Sequence, residues 1–370
     1  PLEKDANSRS YASIRLGSGS LSVGVSDIAD GGKSVTLFFD ANGHGTAMAS
    51  VLVGIRDGLS PVAPSASIVA IKAVTSAGES NWNLIARGIQ AACDRGAHVV
   101  IVSASPQTAQ DHSTASAALD GVMRGNKNVL IVMAAGNEGP GVGTLSAIGR
   151  WDNLLVIGGY IPATISQALG WSSKPVFYTY SSVGPDSEGY VPGVLSVALS
   201  PIALPEWAAG GSSTGTIEGT SVSAAYAGGI AALVAEGVGT SGSNLGPRLK
   251  AAMEQTAAPL AGLTAAEQGH GVIQPEKALG LAKTIGGASK ARAVLNWNGK
   301  FYANALFDRC KVPGLLPVTL DNLAPASVNI NMSLPSWASL PYPSFSIAPV
   351  DQRAIKVNIN LTSPGLYSEF

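Results

Sequence analysis

Three short segments of this 370-residue chain carry side chains that can do chemistry. In Asn42-Gly43-His44-Gly45-Thr46 a histidine stands between glycines, where its ring would be unobstructed at the start of a helix. Imidazole is the natural general base near neutral pH. Ala134-Ala135-Gly136-Asn137-Glu138-Gly139-Pro140 follows an apolar run, which places the Asn137 amide at a strand's carboxyl end. That is where α/β sheets bind ligands, and an amide N–H suits a developing oxyanion. Gly219-Thr220-Ser221-Val222-Ser223-Ala224 opens a long apolar helix. Ser221 is expected there as an N-cap, and the same position offers a nucleophile the helix dipole and free backbone N–H groups. Taken singly, each segment also has an ordinary reading: a turn histidine, an Asn-Glu-Gly-Pro turn, a helix cap.

The elements that must position these groups follow from the hydrophobic pattern. Ser67–Val74, Ala97–Ser103, Asn128–Ala134 and Leu154–Gly158 are apolar on both faces, as buried parallel strands are. Asn83–Arg95 and Ser116–Arg124 repeat apolar residues at spacings of three and four and read as helices. Ser221–Glu236 is small and apolar nearly all round and should be buried, and Arg248–Ala257 is a further helix. Strands alternating with helices predict a doubly wound, mostly parallel α/β sheet. After about Gly287, Pro, Ser, Val and Asn dominate. Ser327–Ser333 and Ala354–Leu361 there alternate as antiparallel strands of a partial β-sandwich-like module do. The expected division is an extension over 1–20, a catalytic domain over 21–287 and a β-rich module over 288–370. Ala208–Gly215 reads as a low-complexity loop.

Composition bounds the function. Hydrophobic residues make up 46% and charged residues 13%, so a large core can form. A formal net charge of −1 gives no reason to expect a nucleic-acid partner or an anionic membrane surface. No run reaches the roughly 18 uninterrupted apolar residues of a membrane span. Cys93 and Cys310 form no metal-ligand spacing and no disulfide scaffold, which points weakly to a reducing, cytoplasmic setting. The polar start, Pro1-Leu2-Glu3-Lys4-Asp5, is not that of a signal peptide. It also lacks an initiating methionine, and the expectation is a chain that begins inside a longer protein. Four histidines without paired carboxylates suggest no metal site, with His98 before a buried strand and His112 in a polar loop. No cofactor is implied.

Together, His44, Asn137 and Ser221, each in its glycine setting and in this order, resemble the motifs of subtilisin-like serine peptidases, over roughly Leu21 to Leu281. Gly228-Gly229-Ile230-Ala231 and Gly269-His270-Gly271-Val272-Ile273-Gln274 are similar to segments of the tripeptidyl-peptidase II group, and Tyr180-Ser181-Ser182-Val183-Gly184-Pro185 resembles the Ser-Ser-Arg-Gly-Pro run typical of subtilases. The resemblance implies that Ser221 attacks a peptide carbonyl, that His44 moves its proton, and that Asn137 holds the oxyanion. It also implies that Ser103, Ala104, Ser105 and Gly136 line an extended peptide substrate, and it leaves open a homo-oligomer.

The aspartate that should complete the set is not identifiable. Asp27 follows Val23-Gly24-Val25-Ser26, but the residues after it lack the family pattern. Leu21–Phe39 reads instead as a hairpin around Ala29–Lys33, with Asp27 and Asp30 as turn residues. Either the aspartate lies upstream on a fuller chain, or the chain is a pseudopeptidase that binds peptides without cutting them. A nucleotide-binding protein would need a glycine-rich phosphate fingerprint after the first strand, and none is found. Further departures from the family are Ala47, Ala224-Ala225, Val183 and Pro106; Glu138 is the candidate to hold a substrate amine in the place of the last.

Overall fold

The computed structural model describes residues 2–4, 10–16, 19–54, 58–75, 77–104, 112–146, 149–186, 189–205, 207, 213–241, 244–285, 291–297, 300–302, 314–322, 327–332, 334–349 and 351–360. Strands β1 (Leu2–Lys4), β2 (Ser10–Leu16), β3 (Gly19–Ala29) and β4 (Ser34–Phe38) form an antiparallel sheet in sequence order. The β3–β4 hairpin turns through Asp30–Gly32, as expected, and Asp30 Oδ2 accepts the Ser34 hydroxyl at 3.1 Å. Asp27 is not in that turn. It lies within β3, opposite Thr36 and beside a register shift after Val25, because the strand continues to Ala29.

Next come α1 (His44–Val53), α2 (Trp82–Cys93), β5 (Val99–Val102), α3 (His112–Gly125), β6 (Leu130–Ala134), β7 (Leu154–Ile161), α4 (Ala163–Ala168), β8 (Val176–Phe177) and β9 (Val194–Val197). Strands β5, β6, β7 and β9 are parallel neighbours in that order, and β8 pairs antiparallel with the end of β7. His112 opens α3 rather than lying in a loop. The chain continues through β10 (Leu199–Ala203), β11 (Thr214–Glu218), α5 (Thr220–Val238), α6 (Leu245–Gln255), α7 (Ala265–Gln268) and α8 (Pro275–Thr284). Thr214 and Gly215, expected in a loop, begin β11, while residues 208–212 lie outside the described residues.

The sheet is wound on both faces because its strands alternate between two cores. Ile131, Met133, Leu154 and Val156 face a cluster with Ile85, Ile89, Leu119 and Met123 of α2 and α3. Leu130, Val132, Leu155 and Ile157 face Ala224, Ala227, Ala231, Leu249 and Ala278 of α5, α6 and α8. Continuous apolar runs are what a strand covered on both sides requires. Helix α5 is long and apolar enough to cross a membrane by length and composition, but most of it is core. Its small residues let it sit close against the sheet.

Ser67–Val74 departs from expectation: it is not a strand. Ile68 and Val69 are 42% and 40% exposed. Among the described residues no backbone group of 67–72 is hydrogen-bonded. The segment lies beneath α2, where a Cβ on Gly88 would stand 3.3 Å from Ala73 Cβ and 3.4 Å from Ile71 Cγ2. Strand β5 also packs under α2 and is the edge of its sheet, bonded to β6 alone. A β-prone run becomes a strand only when a neighbour accepts its ladder, and no described residue does so here.

The remaining strands are β12 (Ala291–Trp297), β13 (Lys300–Tyr302), β14 (Leu315–Asn322), β15 (Val328–Asn331), β16 (Ala338–Ser339), β17 (Ser344–Ile347) and β18 (Gln352–Ile359). They pair antiparallel in sheets ordered β13-β12-β14-β18-β16 and β15-β17, around Val318, Leu320, Ile347 and Val357.

Candidate active site

Ser221 is the second residue of α5, not its cap. The cap is Gly219, at φ 142 and ψ 164, a conformation that L side chains rarely adopt. Ser221 is 7% exposed, and its backbone N–H has no acceptor among the described residues, as expected in a first helical turn. A Cβ on Gly219 would lie 3.2 Å from Ser221 Oγ and 3.6 Å from both Nδ2 and Oδ1 of the Asn137 amide. The hydroxyl and the amide therefore flank one point, and the glycine leaves that space open.

Asn137 is held from one side. The Thr220 N–H donates to its Oδ1 at 2.9 Å, and Thr220 Oγ1 lies 3.0 Å from the same oxygen. A backbone donor fixes which atom is oxygen, so Nδ2 is the end left to donate. Thr220 Oγ1 also accepts the Gly136 N–H at 3.2 Å and lies 3.0 Å from the Gly136 carbonyl. The loop after β6 and the start of α5 are thus bolted together. On the oxyanion role that the sequence resemblance implies, replacing Asn137 with alanine should lower turnover by about 10²–10³, the loss typical of one oxyanion-hole donor. Steady-state kinetics on a peptide substrate reads this as a fall in kcat with little change in KM.

Of the residues expected to line the substrate, Ser103, Ala104 and Gly136 are described. Ser103 and Ala104 follow β5, whose Val102 is in register with Met133 of β6. The Ser103 hydroxyl donates to the Ser221 carbonyl at 3.2 Å. Ser105 and Pro106 lie outside the described residues. Gly136 is buried, and beside it the Glu138 carboxylate accepts Ser146 Oγ at 2.7 Å and Ser182 Oγ at 2.8 Å through one oxygen. Among the described residues no three His, Cys, Asp or Glu side chains converge as metal ligands.

His44 is the first residue of α1 and is half-buried. Ala47, Met48 and Val51 of α1 pack with Val222 and Ala225 of α5, so the imidazole and the hydroxyl each lie within about a turn of one shared contact. Burial lowers the imidazole pKa, Asp40 only partly offsets this, and the ring is neutral at neutral pH. Among the described residues no carboxylate is hydrogen-bonded to the ring.

Asp40 is occupied elsewhere. Its Oδ1 accepts the Asn42 and Gly43 N–H groups at 3.2 and 2.8 Å, and its Oδ2 accepts the Thr46 N–H and hydroxyl at 2.7 and 2.8 Å. Burial alone would raise this carboxyl, but these bonds outweigh it and hold its pKa below the ordinary value. An aspartate just ahead of an apolar helix was a readable capping signal. Asp40→Ala is expected to cost about 1–2 kcal/mol at neutral pH, the range of lost helix caps, measured by chemical denaturation. The folded-state pKa lies below the unfolded one, so the contribution is complete above the unfolded value and disappears as pH falls through the folded one. The difference between wild type and variant should close in acid.

A doubly wound sheet with a helix-borne serine and an amide donor at its carboxyl edge is, as a class, the scaffold of an α/β serine hydrolase. Comparison narrows this. The model of the subtilase family matches residues 32–274, and the chain belongs to that family. It is 26% identical over 347 residues to pyrolysin of Pyrococcus furiosus, covering 77% of this chain and 24% of pyrolysin. It is 29% identical over 226 residues to thermitase of Thermoactinomyces vulgaris, covering 60% of this chain and 70% of thermitase. The chain thus spans about a quarter of pyrolysin's length. Among solved structures, tripeptidyl peptidase 2 aligns with a TM-score of 0.66 at 21% identity, over 93% of this chain and 29% of that one. Sphericase aligns with a TM-score of 0.51 at 24% identity, over 66% and 80%.

Proposed function

We propose that this chain carries the serine, histidine and oxyanion donors of a peptidase that cuts extended peptides through an acyl-enzyme. The observation that carries the reading is the open point between Ser221 Oγ and Asn137 Nδ2 at the free N–H end of α5. Ser221 Oγ attacks the carbonyl carbon while His44 accepts its proton. The oxyanion is held by the Ser221 N–H and Asn137 Nδ2, and His44 returns the proton to the departing amine. Water then repeats the sequence on the ester.

The imidazolium formed in this cycle needs a carboxylate behind it. We propose that a strand upstream on a fuller chain supplies it, lying along the edge of β5 that no described strand occupies and ending in an aspartate. The unpaired ladder of β5 and the bare, apolar 67–72 segment support that site.

The finer proposal is release of short peptides from an amino terminus, as in the tripeptidyl-peptidase II group. The Gly269–Gln274 segment supports it, docking on β9 through Leu195 N–H to the Gly271 carbonyl at 2.7 Å. So does the anchored Glu138 carboxylate, which could hold a substrate's free amine. Mass spectrometry of the products of a long unstructured peptide tests both levels. Three-residue steps from the amino end are expected. Internal cuts would refute the exopeptidase reading, and no cleavage with the carboxylate strand present would leave a peptide-binding pseudopeptidase.

A further inference from the structure

Helix α1 carries His44, yet its apolar anchorage begins three residues later. Ala47, Met48 and Val51 face Ile202, Val222 and Ala225, and Ser50 Oγ accepts the Ala203 N–H at 2.9 Å. On the other side of the imidazole, the Asp40–Gly43 loop meets the segment after β10. Trp207 Nε1 donates to the Asp40 carbonyl at 3.1 Å. A Cβ on Gly43 would stand 3.2 Å from Pro205 Cγ and 3.9 Å from the Trp207 ring, and Gly43 itself is left-handed at φ 91. Pro205 and Trp207 lie between β10 and β11, and β11 ends at Glu218, just before Gly219 and Ser221. One hairpin therefore delivers the nucleophile at its exit and grips the histidine loop at its tip.

We propose that Trp207 is a positioning residue for the general base, fixing His44 relative to Ser221 through the Asp40 carbonyl and Gly43. The proposal rests on the peptidase reading of the site. Trp207 is 40% exposed, so core packing is not what places it there. Without the strut, the described residues of the loop ahead of His44 keep only bonds internal to the loop and first turn, those to Asp40 and the His44 N–H to Asn42 Oδ1 at 3.3 Å, and the imidazole is free to move and hydrate. A misplacement of about 1 Å in such a pair can cost about 10²-fold in rate.

Hydration also has a titration signature. Burial is what keeps the His44 imidazole below its ordinary pKa, with Asp40 as the opposing charge. Among the described residues, β10 offers no ionisable group. The Tyr226 hydroxyl of α5 is engaged with Ser200 at 3.2 Å, and Glu218 of β11 acts on Tyr178. Loosening the loop should therefore move the His44 midpoint up, toward that of a free imidazole.

The test uses the full chain with Trp207→Ala and Trp207→Phe. Two quantities are followed against pH: the second-order rate of Ser221 labelling by a fluorophosphonate, and the His44 ring signal by NMR, assigned with His44→Gln. Trp207→Ala should label about 10²-fold more slowly, with the His44 midpoint and the acidic limb of the rate profile both raised. Trp207→Phe keeps the ring and loses the N–H, and should slow labelling by about fivefold, the size of one ordinary hydrogen bond. Variants that label like wild type, or that label slowly with an unmoved His44 midpoint, would overturn the proposal. If wild type fails to label even with the carboxylate strand supplied, the peptidase reading fails, while the NMR midpoints still decide whether Trp207 holds the histidine.

Discussion

Ser221→Ala should abolish labelling by a fluorophosphonate and, with a carboxylate strand supplied behind His44, lower peptide turnover by about 10⁶-fold, the magnitude measured when the serine of an intact subtilisin triad is removed. The reason is that neither neighbouring hydroxyl of α5 can take its place. Thr220 Oγ1 is spent on Gly136 and Asn137, and Ser223 is wholly buried two residues along α5. The fold should survive, because Ser221 Oγ makes no hydrogen bond with any described residue. Intact-mass spectrometry after labelling gives the answer directly. A variant that still acquires the phosphonyl group at this site's rate would mean that the nucleophile is elsewhere.

Supplying a carboxylate behind His44 should have the next largest effect. A strand of the type Val-x-Val-x-Asp-Ser-Gly, joined to the chain or added in trans, is expected to pair with β5 and raise turnover by about 10⁴. That is the factor lost when the aspartate of a chymotrypsin-type triad becomes asparagine. The same strand ending in Asn is the control, since it repairs the sheet without the charge. The pH profile should move as well. Burial now holds the His44 pKa down, whereas a facing carboxylate favours the imidazolium and raises it, so the acidic limb should shift to higher pH. Equal rates with Asp and Asn would show that the carboxylate acts nowhere near the imidazole.

Much of this architecture was legible before any coordinates. Strands β6 and β7 announce themselves because both faces are covered, which forces unbroken apolar runs such as Leu130–Ala134. The burial of α5 follows from its small residues. Ser67–Val74 has the same composition and misleads for that reason: composition reports a wish to be in a sheet, and pairing depends on a partner elsewhere. Within the site, His44, Asn137 and Ser221 were found from local signals, namely glycines, a strand end and a helix start. The groups that hold them were not. Ser103 reaches Ser221 across 118 positions and Thr220 reaches Asn137 across 83, and nothing local in either residue points that far. The helix cap was misplaced by two residues because Gly219 serves the site rather than the helix, keeping clear the space a side chain would fill.

The bolt between Thr220 and the loop after β6 divides labour inside the molecule. Nucleophile and amide share one rigid body rooted in the doubly wound sheet, while the base arrives on a separate helix held across the gap. Grip on a tetrahedral adduct and the speed of reaching it are therefore adjustable independently. Transition-state mimics such as boronates would draw their affinity from the sheet-rooted half, and drift along α1 could retune the rate without eroding that affinity.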